Sequence, residues 1–270
     1  IDYATGGTGP STAEVGPTVH AAAPNAVCHS CLPNFTNAGG IRWMGNEQGL
    51  MPLPSWGAEA NALGGGTNGG GDPHGEHFMP PSTDTVLREH YWFWQNNTER
   101  HIKSTKLLVE NYLTSVGRAS NLILNIAPGP DGSIPVQDID AYTRMGAAVE
   151  CLFSQPIGST AAADPDEAGT ITWALSVNAT EKTTANMSVV IREDQRDGQL
   201  INEFHLECKN ASFNSKFAPC SMGGLTTVIP STMPATGIGH KRILMLADHV
   251  GLVALRVVVD SSFARHEQTP

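Results

Sequence analysis

The sequence predicts an α/β region followed by an all-β region: a partial (β/α)8-type barrel with a C-terminal antiparallel β-sandwich. Three observations carry this. Tyr112 to Pro135 joins a helix end, a short apolar strand and a Pro/Gly turn in one run, which is an α-to-β step of a barrel. Helical periodicity persists to about residue 153 and then stops. Beyond about Ile171 the chain consists of short β-rich runs separated by turn residues. The boundaries that follow are 1–153 for the barrel part, 154–168 for a linker and 169–270 for the sandwich.

Taken in order, Ile1-Asp2-Tyr3 reads as the end of a strand, and 11–23 as a helix entered at Ser11-Thr12 and stopped by Pro24. Ala26 to Ser30 follows as a strand. The glycine-rich tract Gly64–Gly71 lacks the Lys-Ser/Thr of a phosphate loop and opens no helix, so it reads as a surface loop. Residues 99–115 form an amphipathic helix that Gly117 stops, Leu122–Ile126 a strand, and 137–153 a second helix with Met145, Val149 and Leu152 on one face. Ile171–Val177, Met187–Arg192, Glu203–Cys208, Ile243–Leu246 and Val253–Val259 are the strands of the second part.

Composition narrows the function. With 270 residues, 40% of them hydrophobic, the chain can bury a sizeable core. A net charge of −10, with 16 basic residues scattered rather than striped, argues against nucleic acid or an anionic membrane as partner. No stretch reaches the roughly 20 apolar residues of a membrane span. The first residue is Ile, which suggests a fragment or processed product. Five Asn-x-Ser/Thr sequons, at Asn34, Asn96, Asn178, Asn186 and Asn210, fit a glycosylated protein of the secretory pathway, either secreted or lysosomal/vacuolar. Five cysteines leave at least one thiol without an intramolecular partner, and Cys208 and Cys220 flank a polar loop that a disulfide would close. Cys28-His-Ser-Cys31 resembles half a zinc site without its second half. Asp72 to His77 gathers two acids and two histidines in no metal-ligand spacing, so neither metal nor cofactor is expected.

Several blocks together resemble the α-L-fucosidases of glycoside hydrolase family 29. Val116-Gly followed by Leu122-Ile-Leu-Asn125, Pro128, Gly132 and Ile134 is similar to the end of that family's barrel. Ile41-Arg-Trp-Met-Gly-Asn-Glu-Gln-Gly49 resembles an RW-x-G-N-E-x-G segment of its plant-type and bacterial branch. Gly71-Asp-Pro-His-Gly75 with Pro80, Asp84, Arg88 and Trp92-Phe-Trp94 resembles a third block, and Gly237-Ile-Gly-His-Lys-Arg-Ile243 a turn of the C-terminal sandwich.

The resemblance implies a retaining exo-α-L-fucosidase acting on terminal fucose of glycans, with α1,3/4 linkages suggested by the branch. Such enzymes use two carboxyl groups about 5 to 5.5 Å apart, one as nucleophile and one as acid/base. Asp2 stands where the family's nucleophile would fall, and Glu47, in the Asn-Glu block at the family's interval of forty-odd residues, is the implied acid/base. Glu59 and Glu76 are the fallback acids.

Trp43 and Trp56 flank Glu47 in sequence, and apolar neighbours suit a general acid. Arg42 and Arg88 suit sugar hydroxyls or a catalytic carboxylate. Trp92 and Trp94, two apart on a predicted strand, would share a face and offer indole surfaces to a pyranose or to the fucose methyl. At Ser82 the family usually carries Glu, which bears on substrate preference. The alternative function is a non-catalytic glycan-binding or structural remnant. A serine hydrolase is not supported, since no G-x-S-x-G element is present. Oligomeric state is not legible.

Overall fold

The computed structural model describes residues 18–19, 21–25, 27–29, 40–60, 70–154, 156, 158–159, 164–165, 171–176, 187–211, 216–223, 235–247 and 251–263. Its first part is a parallel sheet. Strands β1 (Cys28–His29), β2 (Gly40–Trp43), β5 (Pro81–Val86) and β6 (Asn121–Asn125) lie side by side in that order, every pair parallel. A two-stranded hairpin, β3 (Ala58–Glu59) with β4 (His77–Phe78), is inserted between β2 and β5.

Among the described residues, two longer helices follow the strands of this sheet. Helix α1 (Thr105–Ser115) starts where Ser104 Oγ accepts the Leu107 N–H, satisfying one of the free amides of the first turn. Helix α2 (Val136–Phe153) begins after Pro135, whose fixed φ suits the chain just ahead of a helix. Leu87, Leu108 and Ala141 form the buried cluster beneath them, with Ile102, Leu124, Tyr142 and Met145 packed around it. The sequence-predicted helix over 99–115 is split. Glu99–His101 is a 3₁₀ turn, and the α-helix starts only after Ser104. A Ser at that point competes for its own backbone and sets the true start.

Every described strand pairing in the second part is antiparallel. Strands β7 (Asp164–Pro165), β8 (Ile171–Ser176), β10 (Ile201–Asn210), β11 (Ala218–Pro219) and β15 (Leu252–Ser262) form one sheet in the order β11-β10-β15-β8-β7, with β13 (Ala235–Thr236) also paired to β10. Strands β12 (Met222–Gly223), β14 (Arg242–Leu246) and β9 (Met187–Ile191) form another, in the order β12-β14-β9. One apolar cluster joins the two sheets: Phe204 and Leu206 from β10, Leu252, Leu255 and Val257 from β15, and Leu244 and Leu246 from β14. Burying each of these side chains contributes about 1.5–3 kcal/mol. Cys208 and Cys220 are joined by a disulfide, Cα to Cα 5.0 Å, as the polar loop between them suggested.

The two parts touch along a polar and aromatic seam. Gln199 donates to Ser55 O (2.8 Å) and accepts from Gly57 N (2.9 Å), and the Trp56 ring meets Phe263 edge-on at 5.4 Å. Lys241 Nζ donates to Tyr112 Oη at 2.8 Å and lies over the Tyr112 and Phe153 rings. The architecture is therefore mixed α/β with a parallel sheet, followed by antiparallel sheets.

Candidate active site

In parallel α/β sheets, chemistry gathers at the carboxyl ends of the strands, where loops are free to vary over a rigid frame. Here β2 ends at Trp43 and runs into the loop Met44–Gly49, which carries Glu47. Neighbouring residues of a strand point to opposite faces, so Arg42 and Trp43 cannot serve one pocket. Trp43 is 39% exposed, and its Nε1 donates to Asp84 Oδ1 of β5 at 2.6 Å. Arg42 is 1% exposed. It pairs with Glu59 (Nε to Oε1 3.0 Å) and donates from Nη2 to Trp56 O at 2.8 Å.

The loop bearing Glu47 is held on both flanks. Met44 N donates to Ser82 O (2.9 Å) and Gly49 N to Asp84 O (2.9 Å), Asn111 Nδ2 of α1 donates to Gln48 O (2.9 Å), and Met51 N reaches Thr114 O (2.9 Å). Asn46 closes the turn by accepting from Gln48 N (3.0 Å) and donating to Leu50 O (2.6 Å). Gly49 has φ +65°, and a Cβ there would lie 3.1 Å from Asn111 Nδ2 and from Thr85 Cγ2, so a side chain would be strained by conformation and crowded by its neighbours.

Within this frame Glu47 itself is forced to φ 53°, a left-handed conformation that a glutamate adopts only when its surroundings over-determine it. Among the described residues four non-glycines have positive φ. Three of them, Glu47, His90 and Asn97, lie in this loop and in the loop facing it.

That facing loop is 89–98. The expected strand through Trp92 and Trp94 is absent: the segment is a series of bends and turns, because Arg88 bridges both Tyr91 and Ile102 and folds the chain back on itself. Trp92 Nε1 donates to Glu47 Oε2 at 3.1 Å. Its carbonyl accepts from Asn125 Nδ2 at 3.1 Å, where Asn125 ends β6. Tyr142 of α2 in turn donates its hydroxyl to the carbonyls of Leu124 and Asn125 (2.8 and 2.9 Å). Burial and the nearby Asp138 push its pKa up to about 12, so it stays a donor across the working range. Trp94 lies by the loop after β6, near Gly129.

The tryptophan that reaches Glu47 is thus Trp92. Trp56 is 5% exposed against Phe263, on the side of Arg42. Arg88 is 3% exposed and spent on Asp138 (Nη2 to Oδ1 2.8 Å) and Thr98 Oγ1 (2.8 Å). Of the sequence-selected residues, Glu47, Trp43, Trp92 and Trp94 lie on the carboxyl edge of the sheet, whereas Arg42, Trp56 and Arg88 belong to its supports. Glu59 is 5% exposed in its pair with Arg42, which removes it as a fallback acid.

Asp2 lies outside the described residues, as do Asn34, Asn178 and Asn186. Asn96 is exposed in a turn, and Asn210 ends β10 rather than sitting in a turn. The structure adds Asp84 and Asn125 to this edge, through Trp43 and Trp92. Each is a polar side chain within or ending a parallel strand, and that was the available signal.

The α-L-fucosidase family model matches residues 72–151. Alpha-L-fucosidase 1 of Arabidopsis thaliana is 27% identical over 276 residues, covering 90% of this chain and 50% of the relative. A candidate α-L-fucosidase structure from Bacteroides thetaiotaomicron superposes with a TM-score of 0.72 at 26% identity, over 93% of this chain and 54% of that one. The chain is a distant homologue of the family 29 α-L-fucosidases. A Ruminococcus gnavus family 29 fucosidase, solved in complex with fucose, shares the fold at a TM-score of 0.67 and 16% identity, over 99% of this chain and 60% of that one. The chain spans about half the length of its Arabidopsis relative.

Proposed function

We propose that the protein containing this chain is a retaining exo-α-L-fucosidase, with Asp2 as nucleophile and Glu47 as acid/base, acting on terminal fucose of glycans that include α1,3/4-linked ones. The single observation that carries the reading is the setting of Glu47. It stands in the Asn-Glu block at the carboxyl edge of a parallel sheet, held in a left-handed conformation, with one carboxyl oxygen fixed by the Trp92 indole.

Such an arrangement divides the labour between the two oxygens of Glu47. Oε2 is anchored, and Oε1 is left to give a proton to the departing glycosidic oxygen. In the second step the same atom takes a proton from the water that attacks the fucosyl-Asp2 ester. Trp43, steadied by Asp84, offers an indole face beside that edge. Arg42 and Arg88 act indirectly, by holding the hairpin and the 89–98 loop.

We further infer that the parallel sheet is part of a (β/α)8 barrel over 1–153, that 154–168 is the linker, and that the antiparallel sheets over 169–270 form a β-sandwich. The cluster joining the two antiparallel sheets supports the last of these. The Cys208–Cys220 disulfide supports passage through the secretory pathway.

Incubation with a 2-fluoro-fucosyl fluoride and peptide mass spectrometry test the assignment. A fucosyl adduct on the peptide containing Asp2, lost in Asp2→Ala, is expected. A protein that binds fucose but neither turns over nor labels would be the non-catalytic alternative.

A further inference from the structure

Arg118 and Arg242 face each other across an isolated antiparallel bridge where the turn after α1 meets the start of β14. The flanking hydrogen bonds, Ala119 N to Lys241 O and Ile243 N to Gly117 O (both 2.9 Å), make this the non-hydrogen-bonded kind of pair. In that geometry the two Cα atoms lie about 4.5 Å apart and both side chains leave the same face. Like charges in such a pair repel.

The setting aggravates the repulsion. Arg242 is 3% exposed, and its Nε and Nη1 have no hydrogen-bond partner. Arg118 is half-buried and gives Nη1 to Met51 O at 2.7 Å, beside a Met51 side chain that is wholly buried. Neither guanidinium makes an ion pair with a carboxylate among the described residues. Glu193, which adjoins β9, is already committed to the amides of Leu200 (2.6 Å), Ile201 (2.8 Å) and Gly239 (3.1 Å).

The surroundings add positive charge rather than remove it. Lys241 stands next in the chain, and the protonated form of His240 is disfavoured first by burial and then by Lys241 and Arg192. Burial, with Arg118 beside it, pushes the Arg242 pKa down to about 10, so the side chain is still a cation at neutral pH. A buried cation without a counter-charge is strongly destabilising, and proteins resolve it by pairing.

We propose that the Arg118–Arg242 pair is an anion site that holds a chloride ion at the seam between the parallel sheet and the antiparallel sheets. Chloride fits because it is monovalent, sheds its water at modest cost and accepts N–H donors from any direction. The site ties the turn after α1 to β14, and it is separate from the edge that carries Glu47 and independent of the fucosidase reading.

Thermal unfolding of the whole protein is followed in sodium chloride and in sodium gluconate at matched ionic strength, in buffer free of phosphate and sulfate. The midpoint should rise with chloride by roughly 2–8 °C over gluconate, as expected for a ligand bound only by the folded state. Arg242→Met should abolish the difference. Arg118→Gln, at the half-exposed member, should reduce it and covers the case in which Arg242→Met fails to fold. A crystal grown in bromide should show an anomalous peak between the two guanidinium groups. Equal midpoints in the two salts overturn the proposal, as does a bromide peak at crystal concentration with no shift in solution.

Discussion

Removing either partner of the Arg88–Asp138 pair should cost far more than removing both. Arg88 reaches Asp138 through Nε (3.0 Å to Oδ1, 3.3 Å to Oδ2) and Nη2 (2.8 Å to Oδ1), with the two residues 3% and 1% exposed. Asp138 also lies in the first turn of α2, where a negative charge gains roughly 0.3–1 kcal/mol from the helix dipole. Breaking a buried pair from one side strands a charge and costs about 3–5 kcal/mol. Arg88→Met and Asp138→Leu should each fall in that range, whereas the double variant Arg88→Met/Asp138→Leu should cost clearly less than either alone, a coupling of more than about 3 kcal/mol.

Urea denaturation followed by tryptophan fluorescence reads this as midpoint shifts of about 1 M or more for the single variants. Function should respond as well, because Arg88 holds Thr98 and with it the loop that brings Trp92 to Glu47. Single variants costing under about 1 kcal/mol, or effects that add without coupling, would refute the reasoning.

Other consequences are smaller or local. Trp92→Phe keeps the ring but removes the donor to Glu47 Oε2, and a hydrogen bond to a charged group is worth about 1.5–3 kcal/mol. Steady-state kinetics should therefore show roughly a 10- to 100-fold drop in kcat/KM with little change in unfolding. Glu47→Gly should not lower the midpoint of unfolding, since glycine takes φ 53° without the penalty of about 1 kcal/mol or more borne by a side chain, yet it should lose turnover of natural glycans.

Glu193 has its pKa raised, chiefly by burial and against the pull of the Ile201, Leu200 and Gly239 amides. The folded state therefore holds that proton more tightly than the unfolded one. Its contribution to stability should fall as pH rises from about 4.5 through the raised value and then level off. A stability advantage of wild type over Glu193→Gln that increases with pH in that window would contradict it. Replacing Cys208 and Cys220 together by Ser should cost about 3 kcal/mol, from the 12-residue separation that the disulfide closes.

Much of this was legible in the chain. α2 and the five longer strands of the second part carry their period in their own residues, and each lies within a few positions of its sequence-read span. The central strands β2 and β5 do not announce themselves. β5 reads Pro-Ser-Thr-Asp-Thr-Val, which resembles a polar loop, yet Ser82, Thr83 and Thr85 are all buried. Their hydroxyls find partners that only the fold supplies: Thr83 donates to Asn121 O, and Thr85 accepts from Lys103 Nζ. Parallel pairing joins residues dozens of positions apart, so local propensity says little about it. The family blocks single out Glu47, and the structure puts it in the loop that follows β2 at the carboxyl edge of the sheet. They did not separate Trp43 from Arg42, because one step along a strand reverses the face, and sequence adjacency hides that.

The measurement that bears most directly on the central claim is the leaving-group dependence of Glu47→Ala in the protein that contains this chain. If Glu47 is the acid/base, the variant should retain substantial turnover of aryl α-L-fucosides with acidic phenols, which depart without protonation. It should lose nearly all turnover of fucosylated oligosaccharides, and added azide should recover part of the deglycosylation step. An equal loss on both substrate classes, or no loss on either, would contradict the account.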